Sequence, residues 1–78
     1  MKDYIVRTIK QTRGKKYVHD YTDKRGTKLS KNDYEPLLKN LYIAPAYDNV
    51  KINKHKKDKV LAIGTDDRGR KQYTYNPD

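Results

Sequence analysis

The stretch Lys59-Val60-Leu61-Ala62-Ile63-Gly64-Thr65-Asp66-Asp67-Arg68-Gly69-Arg70-Lys71-Gln72-Tyr73-Thr74-Tyr75 decides the fold. Lys59 to Ile63 carries apolar residues at successive positions, which suits a strand covered on both faces and so placed centrally in a sheet. Gly64 to Gly69 is polar and bounded by glycine, as a turn requires. Arg70 to Tyr75 alternates and reads as the returning strand. Two strands joined this way make an antiparallel hairpin. An isolated hairpin is marginal in water, so the rest of the chain must supply more sheet and a cover.

Upstream, Val50 to Asn53 reads as a further strand, followed by the basic loop Lys54-His55-Lys56-Lys57-Asp58-Lys59. The helix candidate lies before it. Ser30 and Asp33 have capping-box spacing, but Pro36 argues for a later start. With Asp33 as N-cap, Pro36 falls in the first turn, where its missing N–H costs nothing. Leu37, Leu38 and Leu41 would form the buried stripe, Asn40 the end, and Pro45 bars continuation. So short a helix depends on packing against the sheet. Nearer the N-terminus, Tyr4 to Ile9 is rich in β-branched residues and predicts a strand. Arg13-Gly14-Lys15-Lys16 supplies a turn. Lys16 to Tyr21 alternates, with Tyr17, His19 and Tyr21 on one face and Val18 and Asp20 on the other. Asp23-Lys24-Arg25-Gly26 is a second turn, and Thr27 to Leu29 a short strand. No internal repeat or low-complexity tract is apparent. The pattern predicts a single α+β domain over residues 1–78: a small antiparallel β-sheet of about five strands with one or two short helices against it.

Composition narrows the function. The chain has 78 residues, of which 33% are apolar and 37% charged, with no Phe or Trp. A chain of this size buries only about 60% of its unfolded surface. Eight tyrosines replace the missing bulk, and a tyrosine ring keeps a wet hydroxyl on a half-exposed sheet. Nineteen Lys and Arg against ten acids give a net charge of +9. That excess points to a polyanionic partner. No basic amphipathic helix of useful length suits a membrane surface, and no apolar run approaches the ~20 residues of a span. There is no cysteine, which excludes disulfides and thiolate metal sites. His19 and His55 lack carboxylate or thiol company at ligand spacing, so neither metal nor cofactor is expected. No Ser–His–Asp arrangement arises, and no catalytic residue is assigned. Met1-Lys2-Asp3-Tyr4 does not open a signal peptide. The expectation is an intracellular protein, its compartment not distinguished.

The candidate site is the end of the chain: Arg68, Arg70, Lys71, Gln72, Tyr73 and Tyr75. On a strand, alternate residues share a face. Arg70, Gln72 and Thr74 would point one way, Lys71, Tyr73 and Tyr75 the other. A two-stranded ribbon fits the ~12 Å major groove of duplex DNA, where Arg reads guanine and Gln reads adenine. The plainer alternative makes Tyr73 and Tyr75 core rings, with basic residues guarding a sheet edge against aggregation. The Lys54–Lys59 run is a solvated loop or an added phosphate contact. Asp66-Asp67 reads as turn chemistry.

Gly69-Arg70-Lys71-Gln72-Tyr73-Thr74-Tyr75, following a strand and a polar turn, resembles the N-terminal domain of type IB DNA topoisomerases of the poxviral and bacterial kind. Upstream, Leu37-Leu38-Lys39-Asn40-Leu41 and Ile43-Ala44-Pro45-Ala46-Tyr47-Asp48-Asn49-Val50 are similar to the family's helix, its proline-containing corner and the next strand. Ala44 stands where a proline is common, and Tyr47 where bacterial members carry Trp. Ala62 to Gly69 is similar to the family's approach to the hairpin. The resemblance covers residues 37 to 77; residues 1–36 match only in character. It implies a domain that closes on double-stranded DNA, while a C-terminal catalytic domain of the same chain relaxes supercoils through a 3′-phosphotyrosyl intermediate. Gln72 and Tyr75 would then touch bases, and Arg70, Lys71 and Tyr73 position phosphates. The family's catalytic residues would lie beyond residue 78, so this fragment would bind without cleaving, as a monomer and without cofactor. The abundance of Lys, Asn, Ile and Tyr, which have AT-rich codons, fits a large DNA virus. A freestanding basic β-module binding RNA or single-stranded nucleic acid, stacking bases on exposed rings, is the rival expectation.

Overall fold

In the computed structural model, which describes residues 1–77, one five-stranded antiparallel sheet carries a single helix on one face. The strands are β1 (Tyr4–Arg13), β2 (Lys16–Asp23), β3 (Asp48–Asn53), β4 (Val60–Thr65) and β5 (Lys71–Tyr75), in the spatial order β2-β1-β3-β4-β5. The helix α1 (Lys31–Leu38) lies between β2 and β3 in sequence. The expected α+β class is therefore correct. β4 is internal, between β3 and β5, as its apolar run predicts.

Register explains which side chains are covered. Ile5 pairs with Ile52, and Ile52 with Ala62. Arg7 pairs with Val50 on one side and Tyr21 on the other. Ile5, Val50, Ile52 and Ala62 form the buried core, each at 1% exposure or less. Leu29, Tyr34, Leu37, Leu38, Leu41, Ile43 and Tyr47 pack over it. Burying one aliphatic side chain contributes roughly 1.5–3 kcal/mol, so a core this small needs that cover. Near Leu61 the β4–β5 register shifts, and Leu61 and Ala62 are both buried. A bulge of this kind lets two consecutive apolar residues serve one face.

The helix starts earlier than expected. Ser30, not Asp33, is the N-cap, and Pro36 sits inside the helix. The Ser30 carbonyl accepts from the N–H of both Asp33 and Tyr34. The Ser30 hydroxyl donates to Asp33 Oδ2 at 3.0 Å rather than accepting from a backbone N–H. The early start carries Tyr34 onto the sheet, where its ring stacks on Tyr21 at 3.9 Å between centroids. The helix ends two residues beyond Pro36, so the proline removes one bond near an end that is already closing. Asn40 takes a left-handed conformation, φ 59°, and turns the chain away. Lys56 Nζ donates to the Leu37 carbonyl there, a cation at the negative helix end.

β1 and β2 run on beyond the ends their sequence suggests. β1 continues past Ile9 to Arg13 because β2 pairs with it all the way, through a register shift between Ile9 and Gln11. The short strand expected at Thr27–Leu29 reduces to one bridge, Thr22 with Lys28. Among the described residues no helix is long and apolar enough to cross a membrane.

Candidate nucleic-acid interface

The β4–β5 hairpin turns on Asp66. Its Oδ1 accepts from the backbone N–H of Arg68 at 3.0 Å and Arg70 at 2.9 Å. Its Oδ2 accepts from Arg70 Nε and Gln72 Nε2, both at 3.0 Å. The Arg70 N–H, with those of Gln72 and the other donors, outweighs partial burial and holds the Asp66 carboxyl at about 2. Gly69 completes the turn at φ 77°, where a side chain would be strained.

The same turn occurs twice. Thr22-Asp23-Lys24-Arg25-Gly26-Thr27-Lys28 and Thr65-Asp66-Asp67-Arg68-Gly69-Arg70-Lys71 share Thr, Asp, Arg, Gly and Lys at equivalent places. Asp23 Oδ1 likewise accepts from Arg25 and Thr27 N–H, and the Thr27 N–H above all holds its carboxyl below the usual range. The Thr22–Lys28 bridge matches the Thr65–Lys71 pair. This short repeat corrects the expectation of none; 43 residues separate Asp23 from Asp66, and only an aligned scan of turn motifs would have shown it.

β5 is an edge strand, and it presents the site residues in two groups. Lys71, Tyr73 and Tyr75 are exposed; Gln72 and Thr74 are half-buried. Tyr73 and Tyr75 are 47% and 57% exposed, and their rings stack at 6.1 Å with 16° between planes. They are therefore not core rings. Ile63 pairs with both Tyr73 and Lys51, and Lys51 with Val6, so a continuous row crosses the face away from the helix. Lys51 Nζ stands 5.1 Å from the Tyr4 ring centroid on that face, within cation–π range. On the other face Gln72 pairs with Gly64 and is held by Asp66. Gln72 and Tyr75, the two expected base contacts, thus point to opposite sides of one ribbon. Arg70 reaches back to Asp66 from an exposed position, and Arg68 stands exposed at the turn.

The Lys54–Lys59 run divides. Lys54 pairs with Asp3 at 3.8 Å and Lys56 caps the helix. The loop is built on buried Asn53, whose Nδ2 donates to Asp58 Oδ2 and the Val60 carbonyl, both at 2.9 Å. Lys57 and Lys59 remain exposed.

Sequence reasoning missed Arg7. It is 5% exposed in the middle of β1. Its Nη2 donates to the carbonyls of Ala44 at 2.8 Å and Tyr47 at 3.2 Å, which fastens the Ile43–Tyr47 corner to the sheet. Burial lowers its pKa, with Tyr21 and Asp48 opposing. His19 Nε2 meets the Pro45 carbonyl at 2.8 Å and holds the same corner.

Over 63 residues, 81% of its length, the chain is 40% identical to DNA topoisomerase 1B of Acanthamoeba polyphaga mimivirus. It spans 18% of the length of that relative. The matched stretch is longer than residues 37–77, so the similarity reaches upstream of the helix. The chain is thus related to a segment of a topoisomerase 1B. No family model matches, and no solved structure matches.

Proposed function

We propose that this chain is a duplex DNA-binding domain of a type IB topoisomerase, gripping DNA for strand cleavage and supercoil relaxation carried out by residues outside residues 1–78. The observation that carries it is the pair of stacked, half-exposed rings of Tyr73 and Tyr75 beside Lys71 on the edge hairpin. Rings of this kind meet thymine methyls and sugar edges, and the ammonium meets phosphate. Arg68 and Arg70 add cations at the tip. The similarity to a viral topoisomerase 1B is what favours a duplex over a single strand.

Asp66 does not remove Arg70 and Gln72 from the interface. A glutamine amide has two N–H donors and a carbonyl oxygen. Asp66 takes one N–H of Gln72, which leaves the N–H and O pair that adenine recognition uses. Likewise it takes Arg70 Nε and leaves the terminal guanidinium nitrogens for guanine or phosphate. Both side chains are held in place before DNA arrives, which lowers the ordering cost of binding.

Fluorescence anisotropy with duplex and single-stranded DNA at fixed salt tests the proposal. Duplex should bind more tightly. Gln72→Ala and Tyr75→Ala should narrow the ratio between preferred and scrambled duplexes by about fivefold or more, since one good base contact is worth ~1–3 kcal/mol. Lys71→Ala should weaken all sequences alike. A strong preference for single strands, or equal sequence-blind losses in all three variants, would refute it.

A further inference from the structure

We infer that the free end of the β1–β2 hairpin is a second duplex-gripping element, which takes the phosphate backbone beside the groove occupied by β5. This rests on duplex binding by the chain as proposed above. β3 pairs with β1 only from Tyr4 to Arg7, and the Asp48 side chain takes the Ile9 N–H at 2.8 Å in place of a further ladder bond. Beyond Ile9 the two strands run on with no third strand beside them among the described residues. At ~3.3 Å per residue, the five steps from Ile9 to Gly14 project about 16 Å from the sheet.

That arm is cationic. Lys10, Arg13, Lys15 and Lys16 are exposed, and residues 10–19 contain no acid. Among the described residues none of the four forms an ion pair. Charges guard a sheet edge, and here four cations without an ion pair stand together at the free end of one hairpin. Lys10 falls within the register shift between Ile9 and Gln11, where a bulge re-aims the ribbon.

The arm also points the right way. Asp48 pairs with Thr65, and Thr65 with Lys71. Travelling past Ile9 on β1 is therefore travelling toward the Asp66–Arg70 turn. Both hairpin tips leave the same end of the sheet, at opposite edges. Their axes are three strand spacings apart, about 14 Å at ~4.8 Å each. Along a duplex that is about four base pairs at 3.4 Å per step. With β5 in the major groove, the arm falls on the flanking backbone, where its ammonium and guanidinium groups fit phosphates and read no sequence.

The test compares two quadruple variants of the 78-residue chain with equal charge loss. One is Lys10→Ala, Arg13→Ala, Lys15→Ala and Lys16→Ala. The other, away from the arm, is Lys24→Ala, Arg25→Ala, Lys31→Ala and Lys39→Ala. Affinity for a duplex is measured across salt, with thermal melts to verify folding. Each phosphate contact contributes about −0.9 to the log–log salt slope. The arm variant should lose about two to four from that slope, equally on preferred and scrambled duplexes, and the other variant less than about one. A tip-only Lys15→Ala, Lys16→Ala variant should lose about half as much as the arm variant. A wild-type slope in the arm variant, or an equal loss in both quadruple variants, overturns the inference while leaving duplex binding intact. Absence of salt-dependent duplex binding by the wild-type chain overturns both.

Discussion

Gly64 should not tolerate a methyl group. A Cβ built there would lie 3.1 Å from Val50 Cγ2, 3.3 Å from Tyr47 Cβ and 3.4 Å from Tyr47 Cδ2. Val50 is fully buried on the central strand, and Tyr47 belongs to the corner fastened by Arg7. Neither neighbour is the free end of a flexible side chain. Overpacking of this sort costs about 1–3 kcal/mol. Against it stands the smaller unfolded-state entropy of alanine, worth about 0.4–1 kcal/mol. The clash wins, and Gly64→Ala should destabilise by about 1–2 kcal/mol. For a chain of this length each kcal/mol moves Tm by about 4–8 °C, so a melt followed by circular dichroism should fall by about 5–15 °C. A double-mutant cycle isolates the cause. Val50→Ala removes Cγ2, so Gly64→Ala should cost about 1 kcal/mol less in that background. An unchanged or raised Tm in the single variant, or strict additivity in the cycle, would refute the steric account.

Two further outcomes concern Asp66. Asp66→Asn keeps an oxygen for the Arg68 and Arg70 N–H groups, but the amide nitrogen in place of Oδ2 accepts from neither Arg70 Nε nor Gln72 Nε2. It should therefore bind duplex DNA severalfold more weakly in an anisotropy titration, although it removes a negative charge; tighter binding would show that these bonds restrain rather than prepare the site. The folded-state value near 2 lies below the ordinary 3.8, so the carboxylate stabilises the fold above about pH 4 and loses that contribution as pH falls toward 2. The Tm gap between wild type and Asp66→Asn should accordingly close between about pH 4 and 2; a gap that stays constant over that range would contradict it.

What could be read in the sequence was whatever is local. Gly14, Gly26 and Gly69 announce turns, and all three take positive φ. The alternation in β5 places Lys71, Tyr73 and Tyr75 on one side and Gln72 on the other. The rest depends on distant partners. Arg7 reads as an interruption of a β-branched run, because its carbonyl acceptors lie 37 and 40 residues away. Pro36 taken with local hydrogen bonds alone favours the later helix start, whereas the Tyr21–Tyr34 stack rewards the earlier one. Residues 10–13 carry no apolar alternation; β2 alone makes them a strand. Within the candidate site, the chemistry of Arg68 to Tyr75 was legible, but the tether of Arg70 and Gln72 to Asp66 was not, since turn chemistry accounts for an aspartate there without it.

The scarcity of apolar residues links the fold to the interface. Among the described residues only Ile5, Val50, Ile52, Leu61 and Ala62 are buried hydrophobics, and one helix with one corner suffices to cover them. The second face of the sheet is left to residues that tolerate water while packing sideways. Tyr73 lies against Ile63, and Lys51 follows in the same row. Such a face needs broad rings with polar ends and long stems with charged ends. A duplex groove asks for the same groups: flat apolar area for methyls and sugars, hydroxyls and ammonium groups for phosphates. The side chains that make a bare sheet face soluble are thus the same ones that the proposed duplex contact requires. A substitution such as Tyr73→Ala would therefore disturb both, and its effect on binding has meaning only beside its effect on the melt.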